Sequence, residues 1–263
     1  MKTNTKELLK MIIKLVVPVD KRHRGAHNKF PLDHYIDVIC YVLRTGIQWK
    51  ELRQTLHFST YHKKFVKWAR YDVFKIAYQV LIKLLKAQKY ITDDDLKNLF
   101  IDSSMIKNIH GHKNHGVNHY DRGRKGNKVT VIVTKTGIPI AMTMTTSNKH
   151  DVSLVEQTLD QISIKILGSR LIADKGYVSK KLKIKLRNHR KVYLICPKKK
   201  NQKNKQLPDI QRKLLSERNI VENFFAWSHN YKRIRVRYER HLDNYIQFYY
   251  LAMIEIIHGK IIW

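Results

Sequence analysis

The chain of 263 residues contains only two cysteines, Cys40 and Cys196, and they lie far apart in the sequence. Two isolated thiols exclude a disulfide framework and a zinc knuckle built from paired cysteines. Such sparse cysteine usage is typical of a reducing compartment. With 43% hydrophobic residues the chain has enough apolar material for a core, so the sequence predicts an intracellular globular protein.

Long hydrophobic runs are also absent. The N-terminal segment MKTNTKELLKMIIKLVVP is interrupted by Lys10 and Lys14 and lacks the small-residue cleavage site of a signal peptide. The most apolar segment, YIQFYYLAMIEII, contains Gln247 and Glu255 and is too short to span a bilayer. We therefore expect a non-secreted protein without a membrane partner.

Acidic residues are scarce, with 21 Asp and Glu against 52 Lys and Arg, which gives a net charge of +31. A compact chain with this charge repels itself, and a polyanionic partner offsets that cost. Nucleic acid is the first candidate, because each neutralised phosphate releases condensed counterions. An AT-rich genome that inflates lysine codons is the alternative explanation of the composition.

Residues 1–95 are predicted to form an all-helical domain. The segment DHYIDVICYVLRTG has apolar residues at helical spacing and is expected to end at Gly46. Two following segments, QWKELRQTL and STYHKKFVKWAR, have the outline of a helix-turn-helix, and a helical bundle with solvated lysines is the alternative. In the second segment, basic residues are predicted to face away from an apolar stripe of Tyr61, Phe65, Trp68 and Ala69.

Residues 96–263 are predicted to form an α/β domain. Five short segments rich in Val and Ile read as strands. Their order is three strands, a helix, a strand, a helix and a strand, followed by one long helix from about Arg212 to Tyr231. This order predicts a mixed five-stranded sheet flanked by helices.

Three carboxylates lie among apolar residues. Asp102 in FIDSS and Asp174 in LIADKG follow apolar runs in two predicted strands, and Glu222 lies in the predicted long helix. A buried carboxylate is costly unless it is paired or binds a metal, and an ion-paired or capping residue is the alternative at each position. Three converging carboxylates favour Mg²⁺ or Mn²⁺ over zinc, and a pair of such ions suits phosphodiester chemistry.

The local sequences around these carboxylates resemble a known family. IADKGY and RNIVENFFAWSHNYKRIRVRYER are similar to the signature blocks of DDE-type insertion-sequence transposases of the IS-four/IS-five group, as are DRGRKGNKVTVIVTKTGIPI and LRTGIQWKEL. The resemblance covers about residues 30 to 258. It implies an RNase H-like catalytic domain in which Asp102, Asp174 and Glu222 form the catalytic triad and bind two Mg²⁺ (or Mn²⁺) ions.

The group also has a helix signature of Tyr, two residues, Arg, three residues, Glu, six residues and Lys. Arg218 and Glu222 match this pattern, whereas Leu215 and His229 occupy the Tyr and Lys positions. An uninterrupted helix would place Arg218, Glu222 and His229 on one face. The departures concern accessory phosphate contacts rather than the triad.

DNA contacts are expected from basic residues in several segments. The segment YKRIRVRYER is predicted to be extended, with alternate arginines facing phosphate, and a solvated edge strand is the alternative. The complete predicted set is Lys63, Lys67, Arg70, Arg122, Arg124, Arg218, His229, Lys232, Arg233, Arg235 and Arg237. Four clustered histidines, His110, His112, His115 and His119, have spacings that suit zinc, although a DNA-facing loop is favoured.

The resemblance implies a DNA transposase that carries out cut-and-paste transposition. Its partners would be double-stranded DNA, as terminal inverted repeats and as target, and a second copy of the chain in a synaptic homodimer. Its location would be cytoplasmic and nucleoid-associated. The alternatives are an RNase H-like endonuclease without strand transfer and a non-catalytic DNA-binding protein derived from a transposase.

Overall fold

A computed structural model describes residues 3–18, 30–109, 116–118, 123–198 and 208–261. The four clustered histidines and Arg122 lie outside the described residues. Within them, no helix is long and apolar enough to cross a membrane.

Along the sequence, helices come first and last, and the strands other than the short β7 lie between them. The first helices are α1 (Thr3–Val16), α2 (Leu32–Thr45), α3 (Phe58–Arg70), α4 (Val73–Ala87) and α5 (Asp93–Lys97). The middle of the chain forms β1 (Asn98–Asn108), β2 (Gly116–Asn118), β3 (Arg124–Thr134), β4 (Pro139–Thr146), α6 (Asp151–Leu159), β5 (Arg170–Ile172), α7 (Lys180–Arg190) and β6 (Tyr193–Ile195). The last elements are α8 (Asp209–Ser216), α9 (Asn219–Ser228), α10 (Lys232–Arg235), β7 (Val236–Arg237) and α11 (Leu242–Ile261).

The chain forms two compact units that differ from the boundary expected near residue 95. The first unit comprises the described parts of Met1–Leu81, Asn108–Lys113 and Ser228–Trp263, and the second those of Ile82–Lys107 and Asn114–Trp227. The C-terminal helix α11 therefore belongs to the helical unit and not, as expected, to the sheet-containing one. The physical reason is that α11 has buried side chains around most of its circumference, so it is stable only where other helices cover it.

Aromatic side chains form much of the core of the first unit. The predicted stripe of α3 is buried, and its Phe65 stacks on Phe248 of α11 with ring centroids 4.2 Å apart. Gln247, which interrupts the apolar sequence of α11, is buried but satisfied: its amide donates to Asp72 Oδ1 at 2.6 Å and accepts from the Lys75 N–H.

The predicted helix-turn-helix is wrong in its first helix. Only Trp49–Glu51 of the QWKELRQTL segment is helical, as a single 3₁₀ turn between extended residues. Trp49 is held in place by other contacts, because its ring lies 5.7 Å from that of Phe65 and its indole N–H donates to Glu239 Oε1. As predicted, α2 ends at Gly46, whose positive φ of 70° suits glycine and whose Cβ, if added, would lie 2.9 Å from Lys232 Cβ.

The second unit contains the predicted mixed sheet. The strands β4, β3 and β1 are antiparallel neighbours, and β1, β5 and β6 run parallel, with α6 and α7 as the connecting helices. This gives the strand order β4-β3-β1-β5-β6 that the RNase H-like fold class implies, with β2 added beside β3. The expected α/β fold is therefore confirmed.

The predicted long helix from Arg212 to Tyr231 is wrong in its continuity. It is divided into α8 and α9, and the break lies at Glu217 and Arg218. At this break the Ile220 and Val221 N–H groups donate to the Glu217 and Arg218 carbonyls, so α9 starts anew after Arg218. The break directs the Arg218 side chain to the sheet.

Candidate active site

The register of two parallel strands brings Asp102 and Asp174 together. Phe100 of β1 pairs with Ile172 of β5, and each aspartate lies two residues after its paired residue. Side chains two residues apart point to the same face of a strand. The two carboxylates therefore lie side by side just beyond the paired part of β1 and β5, with Asp102 inside β1 and Asp174 two residues after the end of β5. The region beyond the carboxyl ends of parallel strands is where α/β sheets place ligands.

One guanidinium connects the two carboxylates. Arg218 donates from Nη2 to Asp102 Oδ2 at 3.2 Å, and its Nη1 lies 3.2 Å from Asp174 Oδ1. The Arg218 side chain is 17% exposed, against 24% for Asp102 and 50% for Asp174, so the site is open on the side of Asp174. This arrangement neutralises part of the repulsion between two adjacent carboxylates.

Burial dominates the electrostatics of Asp102. It raises the pKa of the Asp102 carboxyl, and the nearby carboxylates of Asp174 and Asp151 raise that pKa further. The Ser103 N–H, which donates to Asp102 Oδ1 at 2.8 Å, and the Arg218 guanidinium act in the opposite direction. Burial of Asp102 thus favours its neutral form, and the Ser103 N–H and the Arg218 guanidinium favour its ionised form.

A chain of hydroxyl groups lies behind the two aspartates. Ser103 Oγ is 2.7 Å from Tyr177 Oη and 2.8 Å from Thr130 Oγ1, both within hydrogen-bonding distance. Tyr177 is only 1% exposed. Since Ser103 follows Asp102 and Tyr177 lies three residues after Asp174, this hydrogen bond joins the two carboxylate-bearing segments.

The sequence reasoning missed a fourth acidic residue beside the site. Asp151, in the first turn of α6, accepts a 2.9 Å hydrogen bond from Lys128 Nζ, and a Cβ on Gly176 would lie 3.3 Å from Asp151 Oδ2. Lys128 Nζ also donates to the Lys149 carbonyl at 2.7 Å. Asp151 begins its helix at the end of a polar segment, SNKHD, so no apolar run marked it as unusual.

Glu222 is not brought into contact with the two aspartates. It is exposed on α9, while its neighbours Val221, Phe224 and Phe225 are buried. Within the described ranges, no group of three or more His, Cys, Asp or Glu side chains lies close enough together to hold a metal ion. The structure therefore joins two members of the predicted triad, and the role of Glu222 stays a prediction.

The donor set nevertheless fits a hard divalent cation. Oxygens of Asp102 and Asp174 converge on one cationic group, the Arg218 guanidinium, which shows that this position accommodates positive charge. Mg²⁺ and Mn²⁺ prefer such carboxylate oxygens and retain several waters as further ligands. Asp102 and Asp174 can therefore supply the protein ligands of such an ion, with waters as its other ligands.

Three of the predicted DNA contacts lie on one face of α3. Lys63, Lys67 and Arg70 line a cleft of about 530 Å³ in the first unit. The remaining lining residues are Pro18, His62, Val66 and Tyr71. Lys63 and Arg70 are exposed, and Lys67 Nζ donates to the Pro18 carbonyl at 3.2 Å. The cleft combines cationic and aromatic side chains, a composition that suits a phosphate backbone.

The predicted extended arginine segment is wrong. Residues Lys232–Arg235 form one helical turn, and the buried arginines, Arg233 and Arg237, are 3% and 0% exposed. Arg233 forms an ion pair with the buried Glu239, and Arg237 donates to the Glu239 and Arg240 carbonyls. These two arginines stabilise the interior of the first unit, so the prediction that they contact phosphate is wrong.

Of the other expected contacts, Arg218 is paired with the two aspartates, and three are accessible. His229, Lys232 and Arg235 are exposed. The backbone of Arg124 pairs with Asn118 between β3 and β2. Trp227 is 47% exposed on α9, whereas Phe224 of the same helix is buried.

The chain is similar to several known transposases. The family described as Transposase DDE domain matches residues 95–255, which is more than half of the chain. A putative transposase for insertion sequence element IS402 from Burkholderia cepacia is 30% identical over 137 residues, covering 49% of this chain and 61% of that relative. The chain thus matches less than two thirds of the length of this relative.

Two solved structures align over most of the chain with low similarity. The piggyBac transposase synaptic complex with hairpin DNA has 9% identity and a TM-score of 0.49, covering 99% of this chain and 66% of that one. The Mos1 transposase paired-end complex with left transposon end has 7% identity and a TM-score of 0.28, covering 92% and 80% respectively.

Proposed function

Because the chain belongs to the Transposase DDE domain family, we propose that it is a DNA transposase that moves an insertion sequence by cut-and-paste transposition. The observation that carries this proposal is a pair of carboxylates inside the matched region, Asp102 within β1 and Asp174 just after the adjacent parallel strand β5, which meet at the Arg218 guanidinium. Both carboxylates approach one positively charged group, the Arg218 guanidinium. A position between two carboxylates that accepts positive charge is what metal-dependent phosphodiester chemistry requires.

The catalytic residues would be Asp102, Asp174 and Glu222, which would hold two Mg²⁺ or Mn²⁺ ions. When bound, such ions supply Lewis-acid activation of a water or a 3′ hydroxyl and stabilise the leaving oxygen. Asp102, part-buried and fixed by the Ser103 N–H, would keep its oxygen in place, while the half-exposed Asp174 faces the side open to solvent and DNA. Glu222, exposed on α9, would complete the set of three carboxylates.

DNA would bind through basic side chains of both units. In the first unit these are Lys63, Lys67 and Arg70 of α3 together with His229, Lys232 and Arg235. In the second unit Arg124 and, beyond the described residues, Arg122 would take part. The partners are the terminal inverted repeats, target DNA and a second copy of the chain, and the protein would act in the cytoplasm at the nucleoid.

The decisive experiment is a strand-transfer assay with DNA ends that carry the inverted repeats flanking the reading frame. We expect the wild-type chain to join pre-cleaved ends to a target plasmid in Mg²⁺ or Mn²⁺, and Asp102→Asn or Asp174→Asn to reduce joining at least about 10³-fold. Asp160→Asn is the control, because this aspartate is paired with Arg190 away from the carboxylate pair and its loss should leave joining unchanged.

The assay separates the three candidate functions. Hydrolysis of the ends without joining would favour an RNase H-like endonuclease. DNA binding that persists with no cleavage in any metal, and with no effect of Asp102→Asn or Asp174→Asn, would favour a non-catalytic DNA-binding protein. Loss of joining in Glu222→Gln, with wild-type stability, would support the third catalytic position.

A further inference from the structure

Arg218 uses the same carboxylate oxygens that a divalent cation would need. Its two terminal nitrogens each lie 3.2 Å from one oxygen, one on Asp102 and one on Asp174. A cation within bonding distance of both carboxylates would meet the guanidinium at close range. Two positive groups cannot share these oxygens without strong mutual repulsion.

We propose that Arg218 is a placeholder that competes with the divalent cation for Asp102 and Asp174, so that loading of the cation displaces the guanidinium. This inference rests on the proposed function, because it assigns a role to a side chain of the same site. Before loading, Arg218 offsets the repulsion between the two aspartates, because its guanidinium lies within ion-pair distance of both. The carboxylates are thereby held in place for the incoming ion.

The position of Arg218 suits a side chain that leaves. It lies in the two-residue break between α8 and α9, so its backbone is not fixed inside a helix. Its Nε is buried without a hydrogen-bond partner in the part of the chain that the structure describes. The Arg218 guanidinium is thus incompletely satisfied in the bridging position, which lowers the cost of moving it.

Cation binding without DNA tests the competition directly. Mn²⁺ alone is titrated into the full chain by isothermal calorimetry, in the wild type and in Arg218→Gln. We expect Arg218→Gln to bind Mn²⁺ at least about tenfold more tightly, because the ion no longer has to displace a guanidinium. Arg218→Lys should lie between the two, since a lysine ammonium is a point charge that cannot bridge two carboxylates as a planar fork does.

Lys128→Gln is the matched control for charge. It removes one positive charge near the site, but Lys128 pairs with Asp151 and not with the two aspartates. Competition predicts that Lys128→Gln tightens Mn²⁺ binding by less than about threefold. Equal tightening in Lys128→Gln and Arg218→Gln would reduce the effect to general electrostatics and overturn the proposal.

Thermal unfolding gives a second readout that does not depend on activity. In EDTA we expect Arg218→Gln to unfold at a lower temperature than the wild type, because Asp102 loses its cationic partner. Mn²⁺ should then raise the unfolding temperature of Arg218→Gln more than that of the wild type. An equal or smaller rise would overturn the placeholder role.

Failure of this inference and failure of the proposed function are distinguishable. If the wild type binds Mn²⁺ in a manner that Asp102→Asn abolishes, while Arg218→Gln binds it equally or more weakly, only the placeholder role is overturned. If neither the wild type nor any Arg218 variant binds Mn²⁺, the proposed metal-dependent function and the placeholder role both fail.

Discussion

At the scale of single residues, a hydrogen bond between two hydroxyl groups connects the chain segments that carry Asp102 and Asp174. Asp102 and Asp174 are not bonded to one another, and each depends on neighbours for its position. Ser103 and Tyr177 are the neighbours that meet, with oxygens 2.7 Å apart. Since Tyr177 is almost fully buried, the bond is shielded from water and has a single geometry.

Removal of this hydrogen bond should weaken the protein and loosen the carboxylate pair. We expect Tyr177→Phe to lower the free energy of unfolding by about 1 kcal/mol, with a coupling of similar size to Ser103→Ala in a double-mutant cycle. Urea unfolding measures both values. Tyr193→Phe is the control, because Tyr193 is 45% exposed on β6. Strict additivity of Tyr177→Phe and Ser103→Ala would contradict the bond.

Glu255 gives a pH-dependent prediction in the first unit. Burial in α11 raises the pKa of its carboxyl above the ordinary value of 4.5. Between that value and the raised one, the folded state holds a proton that the unfolded state has lost, so the free energy of unfolding falls as pH rises through this window. Above the raised pKa, both the folded and the unfolded state have lost the proton, and the destabilisation caused by the buried Glu255 carboxylate is complete.

Glu255→Gln should therefore stabilise the protein at pH 8 more than at pH 5. Thermal midpoints of both proteins at the two pH values provide the measurement, and the difference between them isolates this one group. Glu51→Gln, at an exposed carboxylate, should show no such pH-dependent gain. A gain that is larger at pH 5 would show that the sign is wrong.

At the scale of elements, the four-residue helix α10 contains one buried arginine, Arg233, and one exposed arginine, Arg235. Arg233 points inward to Glu239, Trp49 and Phe248, and its Nη1 donates to the Ile47 carbonyl at 3.1 Å. Arg235 of the same turn is exposed. Breaking a buried pair by removal of one partner leaves an uncompensated charge.

The two arginines of α10 should therefore respond in opposite ways. Arg233→Met is expected to cost about 3 to 5 kcal/mol of unfolding free energy because the buried Glu239 loses its cationic partner. Arg235→Met should change stability by less than about 0.5 kcal/mol but weaken DNA binding. Chemical denaturation and a DNA-binding titration of both variants provide the measurements. A stable Arg233→Met variant with weakened DNA binding would reverse the assignment.

The same elements show which features local sequence can predict. The strands β1 and β5 were predictable because short apolar runs, LFI and LIA, end in aspartates, and their parallel pairing follows from the crossover helix. The break before α9 was not, because Glu217 and Arg218 are good helix formers. What decides it is tertiary: the Arg218 side chain contacts two carboxylates more than 40 residues distant in sequence.

The alternating pattern of the arginine-rich segment also gave a wrong prediction, because two of its charged side chains are buried. An alternation of arginines with Ile and Val is typical of a strand with one polar face, yet Arg233 and Arg237 are interior because Glu239 and backbone carbonyls satisfy them. No local pattern identifies those distant acceptors. Exposure of Glu222 and Trp227 on α9 was likewise unpredictable, since both lie among apolar neighbours.

For the whole molecule, the excess of 31 positive charges raises the question of how much of it contacts DNA. Many lysines are solvated on helices such as α7, where Lys180, Lys181 and Lys183 are exposed. A general attraction to polyanions requires only the total charge. A specific binding surface instead requires that some cations count more than others, and the cleft along α3 is the candidate for that surface.

The salt dependence of DNA binding distinguishes these two cases. Each phosphate contact contributes about 0.9 to the slope of log K against log salt concentration, so the triple variant Lys63→Gln, Lys67→Gln, Arg70→Gln should lower that slope by nearly three. The triple variant Lys180→Gln, Lys181→Gln, Lys183→Gln removes the same charge from α7 and should lower it by less than about one. Equal losses in the two variants would mean that DNA responds to net charge alone, and α3 would then have no special part in binding.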